Sequence, residues 1–288
     1  MVLDTLAKKL QALLVSPIIA RLERLEDVAR VQAVARRQEL DRLVDRPRYD
    51  DPRCLTRYGY RCFSQNDEDG FIDEIFRRIG TTNRHFVEFG VEGGVENNTL
   101  ALLLAGWNGL WIEANPSAQA KVRADFAEPL NTGQLVLQPS FATAESIEPL
   151  LEKSGVPVEP DLLSIDIDGN DYWVWRAITT RRPRVVVVEY NASLGRSARL
   201  IQPYQPDTAW DLTSVFGASL CALEDLGRQK GYALVGCGIR GVNAFFVRED
   251  LLADRFLGPY TAETHFEPPR YGPDGAGHPP RWGKFIKP

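Results

Sequence analysis

The stretch "HFVEFGVEGGVENNTLALLLAGWNGLWIEANP", residues 85–116, decides the fold of this chain. It begins with a strand-like run, passes through a glycine-rich turn into a helix-like segment (97–107), and returns to a strand-like run (109–114). A strand, a helix and a second strand in this order form two parallel strands with the helix on one face of the sheet. The stretch therefore predicts an α/β fold.

The same alternation continues toward the C-terminus. Three further strand-like runs and two helix-like runs follow, namely strands at 134–139, 161–167 and 183–191 and helices at 116–126 and 143–155. The last two strands are continuously apolar, which is typical of central strands. "YALVGCG" (232–238) and "VNAFFVR" (242–248) predict an antiparallel pair at the sheet edge. We therefore expect a Rossmann-like, mostly parallel central sheet with helices on both faces.

An N-terminal helical arm is predicted before this domain. Residues from about 3 to 45 repeat apolar side chains at spacings of three and four among charged ones, and Pro17 predicts a kink near Ser16. The pattern indicates a coiled coil that makes a homo-oligomer or binds a partner complex; a helix packed on its own domain is the alternative. The expected divisions are an arm at 1–46, the main domain at 47–257 and a Pro/Gly-rich tail at 258–288.

Composition excludes several classes of protein. The net charge of -5 argues against a nucleic-acid-binding protein. Four cysteines without a CxxC pair and only three histidines offer little for a zinc site. No signal peptide and no transmembrane run of apolar residues is visible. We expect a cytoplasmic protein, which the arm would hold at the inner face of the membrane if it docks on a membrane-bound assembly.

The glycine turn after the first strand is a candidate cofactor site. Gly90, Gly93 and Gly94 allow a sharp turn and close approach of a ligand. Their spacing differs from the G-x-G-x-x-G pattern of nicotinamide dinucleotide sites. Glu88 and Glu92 would repel a pyrophosphate and favour a positively charged cofactor such as S-adenosylmethionine, which carries a sulfonium and an ammonium. An ordinary strand-to-helix turn is the alternative.

Neighbouring segments extend this candidate site. Asn98 and Thr99 open the next helix with free backbone N–H groups. Glu113 ends the second strand, where an acidic side chain can accept hydrogen bonds from both ribose hydroxyls of an adenosine cofactor. Phe141 follows the third strand, where adenine contacts are expected. Together these residues predict an adenosine-cofactor site.

Four motifs in order resemble those of FkbM-type methyltransferases. They are "FSQNDEDGFIDEIF" (63–76), "HFVEFGVEGGVENNT" (85–99), "AGWNGLWIEANP" (105–116) and "DLLSIDIDGND" (161–171) with "PRVVVVEYN" (183–191). The resemblance covers roughly residues 62–192. It implies a class I methyltransferase fold, S-adenosylmethionine as methyl donor, and a sugar or polyketide hydroxyl as acceptor.

Residue roles follow from the resemblance by position. It implies that Glu88, Gly90 and Gly93 lie by the methionine part of the donor, Glu113 by the ribose, and Gln65 in the segment that covers the cofactor. The chain departs from the family pattern after the fourth strand, where "IDIDGND" carries Asp in place of the usual Glu. This departure leaves the acceptor and the metal dependence open.

Polar side chains follow the fourth and fifth strands. Asp166 and Asp168 end one strand, and Glu189 and Asn191 end the other. If the fourth strand stays extended, alternation puts Asp166 and Asp168 on one side. Because neighbouring strands bring their ends together, all four are candidate catalytic residues. Asp166 is also a candidate cofactor-binding residue. Asp166, Glu189 and Asn191 are candidate ligands for Mg²⁺ or another divalent cation. The position is similar to that of the metal site in cation-dependent O-methyltransferases.

Two other interpretations of the aspartates stay open. Asp166 could act as a general base on a sugar hydroxyl without a metal. Asp168 and Asp171 could instead cap the following helix. Tyr190 and Tyr204 lie in or after the fifth strand, where the acceptor is expected.

These expectations lead to one functional hypothesis and two alternatives. The hypothesis is an S-adenosylmethionine-dependent O-methyltransferase acting on a sugar hydroxyl of a polysaccharide, glycolipid or glycosylated small molecule, with metal assistance as an option. One alternative is a non-catalytic methyltransferase-like module that binds a glycan or a partner enzyme. The other, a nicotinamide-dependent enzyme, is disfavoured by the glycine spacing.

Overall fold

The computed structural model describes residues 42–206, 210–271 and 277–288, together with positions 19, 21, 31, 32, 34, 35, 38 and 39. The chain separates into two compact units, Met1–Asp50 and Asp51–Pro288. In the first unit, residues 42–44 are helical and a 3-10 turn follows at Pro47–Tyr49. The predicted coiled coil and its kink lie largely outside the described residues, so the arm stays a prediction.

One mixed sheet forms the centre of the second unit. Its strands are β1 (His85–Phe89), β2 (Asn108–Glu113), β3 (Leu135–Pro139), β4 (Leu162–Ile165), β5 (Val185–Glu189), β6 (Tyr232–Cys237) and β7 (Asn243–Arg248). They lie in the order β3-β2-β1-β4-β5-β7-β6. β7 runs antiparallel to both its neighbours, while β1 to β5 are parallel. The expected α/β fold with a Rossmann-like, mostly parallel sheet is confirmed, as is the antiparallel pair at its edge.

Helices connect the strands. They are α1 (Glu68–Ile79), α2 (Leu100–Leu104), α3 (Pro116–Asp125), α4 (Ala127–Thr132), α5 (Ile147–Lys153), α6 (Asp171–Ala177), α7 (Leu220–Gln229) and α8 (Ala262–His265). Short 3-10 turns lie at Leu55–Tyr58, Ala192–Leu194 and Glu249–Leu251. None of the helices in the described part of the chain has the length and apolar character needed to cross a membrane.

Two apolar clusters cover the two faces of the sheet. Alternate residues of each strand enter different clusters, so that in β5 Val185 and Val187 join one and Val186 and Val188 the other. Residues of α1, α2 and α3 pack in the first cluster, and residues of α5, α6 and α7 pack in the second. Because both faces are covered, β4 and β5 are apolar at all positions except Ser164 and Glu189, as expected for central strands.

The order of the strands reverses between β1 and β4, which are neighbours in the sheet although β2 and β3 intervene in the chain. A ligand crevice is expected beyond the carboxyl ends of the strands at such a point. β4 ends at Ile165, two residues before the predicted end. Asp166 and Asp168 therefore lie in the loop after the strand, and Asp168 adopts a left-handed backbone with φ of 57°. The condition for their placement by strand alternation, a strand that stays extended to Asp168, is therefore not met.

Candidate active site

A cleft of about 1200 Å³ lies at the carboxyl ends of the strands. Eight of the ten predicted cofactor-binding residues line it: Gln65, Glu88, Gly90, Glu92, Asn98, Glu113, Phe141 and Asp166. Asp168 and Glu189, two predicted catalytic residues, also line it. The sheet therefore brings residues separated by more than a hundred positions in the sequence to one cavity.

Gly90 lets β1 and β4 approach at the floor of the cleft. Its φ is 75°, a left-handed conformation that favours glycine. A Cβ atom at this position would lie 1.9 Å from the backbone oxygen of Asp166. The backbone N–H of Gly90 donates to the carbonyl of Ile112 at 3.1 Å, which joins the turn to β2. Glycine is therefore required here for both conformation and space.

Gly93 and Thr99, the other two predicted cofactor-binding residues, do not line the cleft. A Cβ on Gly93 would meet the side chain of Lys121 at 2.8 Å. The buried hydroxyl of Thr99 donates to Glu88 and accepts from the indole N–H of Trp111 at 2.8 Å. Because neither residue lines the cleft, we leave both out of the proposed cofactor site.

Glu88 links the end of β1 to the start of α2. One of its carboxylate oxygens accepts from the backbone N–H of Asn98 at 2.8 Å, and the other accepts from the Thr99 hydroxyl. Burial raises the pKa of Glu88 to about 7, although these hydrogen bonds lower it. Glu88 thus has a structural role in addition to lining the cleft.

Glu113 presents a fixed carboxylate at the end of β2. Its Oε2 accepts from the backbone N–H of Glu92 at 2.7 Å, and its Oε1 accepts from the backbone N–H of Asn115 at 2.7 Å. Glu92 has φ of 49°, an unusual conformation for a residue with a side chain. Because a carboxylate offers about four acceptor positions, Glu113 keeps positions for a ligand while its orientation is held by the backbone.

Three carboxylates meet at the other side of the cleft. One oxygen from each of Asp166, Asp168 and Glu189 lies within 4.8 Å of the other two. Burial and the neighbouring carboxylates raise the pKa of Asp166 and of Glu189 well above the ordinary value. Burial, with a smaller effect of Glu92, also raises the pKa of Asp168. The repulsion would be relieved by a proton or by a cation.

The loop after β4 is held by Asp171 rather than by a helix cap. The carboxylate of Asp171 accepts from the backbone N–H of Ile167 at 3.0 Å and of Gly169 at 2.9 Å. Burial raises its pKa to about 6, against the effect of these two hydrogen bonds. Its hydrogen bonds run backward into the loop, and Asp168 makes no capping bond to α6. Helix capping therefore does not describe either aspartate.

Asn191 lies apart from the three carboxylates. Its side chain is fully buried, donates to the carbonyls of Ser214 and Phe216 at 2.9 Å, and accepts from the backbone N–H of Ser193. It does not line the cleft, since β5 ends at Glu189 and the chain turns into a 3-10 helix. We leave Asn191 out of the proposed catalytic and metal sites.

The "SQNDED" segment covers part of the cleft. The Oδ2 atom of Asp69 accepts from three successive backbone N–H groups, at 62–64, at 2.7 to 2.8 Å. This bends the segment so that Gln65 and Asn66 line the cleft. Glu68, which is 1% exposed, accepts from the backbone N–H of Asn66 and from the amide of Asn243. The cover is thus tied to β7.

Sequence reasoning missed the residues that close the far side of the cleft. Trp210, Arg240, Tyr271 and His278 all line it. Tyr190 and Tyr204, which the sequence placed near the acceptor, do not line it. Tyr190, for example, is fully buried and donates to the carbonyl of Glu267 at 2.6 Å. No local pattern marks the four missed residues, because they reach the cleft through long-range packing of loops and tail.

Several lining residues carry buried polar atoms that lack a hydrogen-bond partner among the described residues. They are Asn97 Nδ2, Glu189 Oε2, Arg240 Nε and Asn243 Oδ1. Buried polar groups are normally paired, because an unpaired one costs about 1 to 3 kcal/mol. Their concentration at one cavity indicates that a ligand or water supplies the missing partners.

Comparison with known proteins gives distant structural likenesses. No protein-family model matches the sequence, and no curated protein matches it by sequence. The pyocyanin biosynthetic protein PhzM is 16% identical, with 62% of this chain and 54% of that chain covered and a TM-score of 0.36, so the match spans about half of PhzM.

Two other structures contain bound S-adenosylhomocysteine. The N-terminal domain of EvdMO1 is 14% identical, with 73% of this chain and 94% of that chain covered and a TM-score of 0.40. The glycopeptide N-methyltransferase MtfA is 15% identical, with 70% and 98% covered and a TM-score of 0.40.

Proposed function

We propose that this chain is an S-adenosylmethionine-dependent O-methyltransferase that methylates a sugar hydroxyl of a polysaccharide, glycolipid or glycosylated small molecule. The observation that carries the proposal is Glu113, whose carboxylate lines the cleft, is oriented by two backbone N–H groups and keeps free acceptor positions. Those positions suit the two ribose hydroxyls of an adenosine cofactor. The four motifs that resemble FkbM-type methyltransferases support the same donor.

The charge of the cleft favours a cationic donor over a dinucleotide. Glu88, Glu92 and Glu113 all line the half of the cleft formed by β1 and β2, together with Gly90 and Phe141, which we call the donor half. Their carboxylates would repel a pyrophosphate but attract an ammonium or sulfonium. S-adenosylmethionine would supply a methyl group on such a sulfonium. Phe141, 68% exposed in this structure, offers an apolar surface for the adenine ring.

The three carboxylates beyond β4 and β5 fit a divalent cation. We call this side, with Arg240, Trp210, Tyr271 and His278, the acceptor half. The candidate ligands are Asp166, Asp168 and Glu189, and all three offer oxygen, which Mg²⁺ and Ca²⁺ prefer. Two oxygens bound to one ion lie at most about 4 to 5 Å apart, which matches the spacing of these three carboxylates. Glu189 is 9% exposed and its Oε2 lacks a partner among the described residues. A bound cation would lower the pKa of an acceptor hydroxyl that contacts it.

The reaction needs alignment of the acceptor hydroxyl with the donor methyl and removal of the hydroxyl proton. Asp166 lies between the two halves, since its backbone oxygen contacts the Gly90 turn and its side chain faces Asp168 and Glu189. A carboxylate with a raised pKa accepts a proton more readily than an ordinary one, so the raised pKa of Asp166 suits a general base. The covering segment with Gln65 and Asn66 would limit access of water to the methyl group.

Calorimetric titration with S-adenosylhomocysteine tests the donor site. We expect micromolar binding both with Mg²⁺ and with EDTA, and a loss of about tenfold to 100-fold in Glu113→Ala, because two charge-assisted hydrogen bonds disappear. Glu145→Ala, an exposed carboxylate that does not line the cleft, is the control. Absence of binding to the wild-type protein would overturn the enzyme proposal and favour a module that binds a glycan or partner.

Titration with Mn²⁺, followed by the electron paramagnetic resonance signal of the free ion, tests the metal site separately from turnover. We expect stoichiometric binding that Asp168→Asn weakens by roughly tenfold or more, with unchanged affinity for S-adenosylhomocysteine. Methyl transfer should then depend on the added cation. If Mn²⁺ does not bind and EDTA leaves methyl transfer unchanged, Asp166 acts as a base without a metal.

A further inference from the structure

Arg240 is a cation that faces the cleft without a partner among the described residues. It lines the acceptor half, and its Nε atom is buried with no hydrogen bond. No described carboxylate lies within ion-pair distance of its guanidinium; the ion pairs of the described arginines involve other residues, including Arg61 and Arg270. Guanidinium groups in partly buried sites normally pair with a carboxylate or phosphate. The absence of such a partner requires an explanation.

The other basic residues that line the cleft do not offer a free positive charge. Arg61 pairs with Glu96. Burial lowers the pKa of His278, so its ring is neutral at neutral pH. Among the described lining residues, Arg240 is therefore the one positive charge left for a ligand.

The backbone that carries Arg240 is rigid. It lies in the connection between β6 and β7, where the N–H of Gly241 donates to Gly238 at 2.9 Å and the N–H of Arg270 donates to the carbonyl of Arg240 at 2.8 Å. A Cβ on Gly241 would lie 2.4 Å from the backbone oxygen of Pro268, so the 267–270 segment packs tightly against this connection. Because the backbone is fixed from two sides, only the side chain of Arg240 has to be ordered when a ligand binds.

Aromatic rings lie on the same side of the cleft. The centroid of His278 lies 4.3 Å from that of Trp210 and 4.9 Å from that of Tyr271. The Trp210 indole N–H donates to the carbonyl of Thr213 at 2.8 Å, which fixes that ring. A wall of packed rings can cover the apolar face of a sugar, while a charged group sets its orientation.

We propose that the acceptor sugar carries an anionic group, a carboxylate or a phosphate, and that Arg240 binds it. The proposal rests on the proposed function, since it names the class of acceptor for the same cleft. A guanidinium binds either oxyanion through two parallel hydrogen bonds, which fixes the ring as well as attracting it. The aromatic wall and Arg240 then hold the sugar while Asp166, Asp168 and Glu189 act on its hydroxyl.

The acidic residues of the cleft make a fixed cation necessary for binding an anionic sugar. Seven lining residues are acidic: Glu88, Glu92, Glu96, Glu113, Asp166, Asp168 and Glu189. An anionic acceptor would be repelled from this cleft unless a fixed cation bound it. The competing explanation is that the same carboxylates merely stabilise Arg240 through space, in which case the protein would not distinguish acidic from neutral sugars.

Calorimetry with matched sugars distinguishes these explanations. With S-adenosylhomocysteine and Mg²⁺ present, the wild-type protein is titrated at millimolar concentrations with methyl glycosides of glucose, galactose and mannose, with the corresponding uronic acids, and with the corresponding sugar phosphates. We expect at least one acidic sugar to bind roughly tenfold or more tightly than its neutral partner. Preference for the uronic acid or for the phosphate identifies the source of the anion.

Two variants complete the experiment. Arg240→Gln should abolish the preference for the acidic sugar, whereas Arg61→Gln, which removes the same charge from a paired cleft arginine, should keep it. Equal binding of acidic and neutral sugars, no binding of any acidic sugar, or a preference that survives Arg240→Gln would each overturn the proposal. Failure of the proposed function is separate, because it appears as lack of S-adenosylhomocysteine binding by the wild-type protein.

Discussion

The two ends of β4 carry carboxylates in opposite electrostatic situations. Asp161, before the strand, is fully buried, pairs with Arg184 at 2.6 Å and accepts from backbone N–H groups at 82–84. Asp166, after the strand, accepts no hydrogen bond from a described residue and faces other carboxylates. The two groups, five residues apart in the sequence, therefore differ in their hydrogen bonds and in the charges near them.

The pKa values of the two groups move in opposite directions. Burial raises the pKa of Asp161, but the hydrogen bonds from Arg184 and the 82–84 turn outweigh it and lower the value overall. For Asp166, burial and the nearby Asp171 and Asp168 all raise the pKa. The amino end of the strand thus stabilises the fold, whereas the carboxyl end holds charge that lacks a partner and is available for a ligand.

Replacing each aspartate by asparagine should separate the two roles. Asp161→Asn leaves Arg184 buried with a weakened partner, so we expect a loss of roughly 3 to 5 kcal/mol in the free energy of unfolding. Asp166→Asn removes a repelled charge, so the free energy of unfolding should stay unchanged or rise, while the rate of methyl transfer falls about 100-fold to 10,000-fold. Urea unfolding and a methyl-transfer assay on the same preparations measure both quantities.

The assignment of the two roles would be wrong if Asp166→Asn lowered stability and Asp161→Asn lowered methyl transfer. A stability loss in Asp166→Asn as large as that in Asp161→Asn would mean that the carboxyl end of β4 also supports the fold. Methyl transfer per folded molecule should be unaffected in Asp161→Asn, since Asp161 does not line the cleft. That variant is therefore the matched control for the other.

The sequence predicted the parts of the site that follow directly from strand ends. Glu88, Glu113 and Glu189 are the last or next-to-last residues of β1, β2 and β5, so an assignment of strands brings them to one edge. Gly90 was predictable because a residue without a side chain directly after a strand marks a sharp turn. Continuously apolar strands also predicted a sheet covered on both faces.

Other parts could not be read from local pattern. Asn191 was predicted to continue the alternation of β5, but the strand ends two residues earlier and the side chain caps a 3-10 turn. Arg240, Trp210 and His278 depend on packing between the β6–β7 connection, the loop after β5 and the tail. Such contacts join distant segments of irregular structure, for which hydrophobic periodicity carries no signal.

Two glycines with positive φ, one before β1 and one after it, allow the same comparison between the two ends of a strand. Gly80 precedes the strand with φ of 68° and open space around its Cβ position, whereas Gly90 follows it with φ of 75° and meets the backbone of Asp166. Gly80 combines its φ with ψ of 175°, a region that essentially only glycine adopts, so Gly80→Ala should cost about 1 to 3 kcal/mol for backbone strain alone. In Gly90→Ala the new Cβ must also displace the backbone that follows β4. We therefore expect the free energy of unfolding to fall by about 3 kcal/mol or more, and S-adenosylhomocysteine binding to be lost.

Thermal unfolding and calorimetry on the two alanine variants check this difference. Equal stability losses would show that the close approach of β1 and β4 relaxes easily and that Gly90 is needed only for its conformation. Full S-adenosylhomocysteine affinity in a folded Gly90→Ala protein would contradict the assignment of this turn to the donor half.

The last expected effect concerns pH and Glu88. Its folded-state pKa of about 7 lies above the ordinary 4.5, because burial disfavours the charged form. Stability contributed by its protonated form is complete below the ordinary value and is lost as pH rises toward 7. Relative to Glu88→Gln, the wild-type protein should lose up to roughly 3 kcal/mol of unfolding free energy over this range.

Asp161 should give the opposite dependence on pH. Because its folded-state pKa is lowered, its contribution is present above the ordinary value of 3.8 and is lost as pH falls through the folded-state value. Urea unfolding of the wild type and of Glu88→Gln between about pH 5 and pH 8 measures how the contribution of Glu88 to the unfolding free energy changes with pH. Glu96→Gln, at a half-exposed position, is the control, and its unfolding free energy should change with pH as that of the wild type does. If the difference in unfolding free energy between wild type and Glu88→Gln stays constant across this range, the hydrogen bonds from Thr99 and Asn98 compensate fully for burial. Glu88 would then be a hydrogen-bonded structural carboxylate like Asp161.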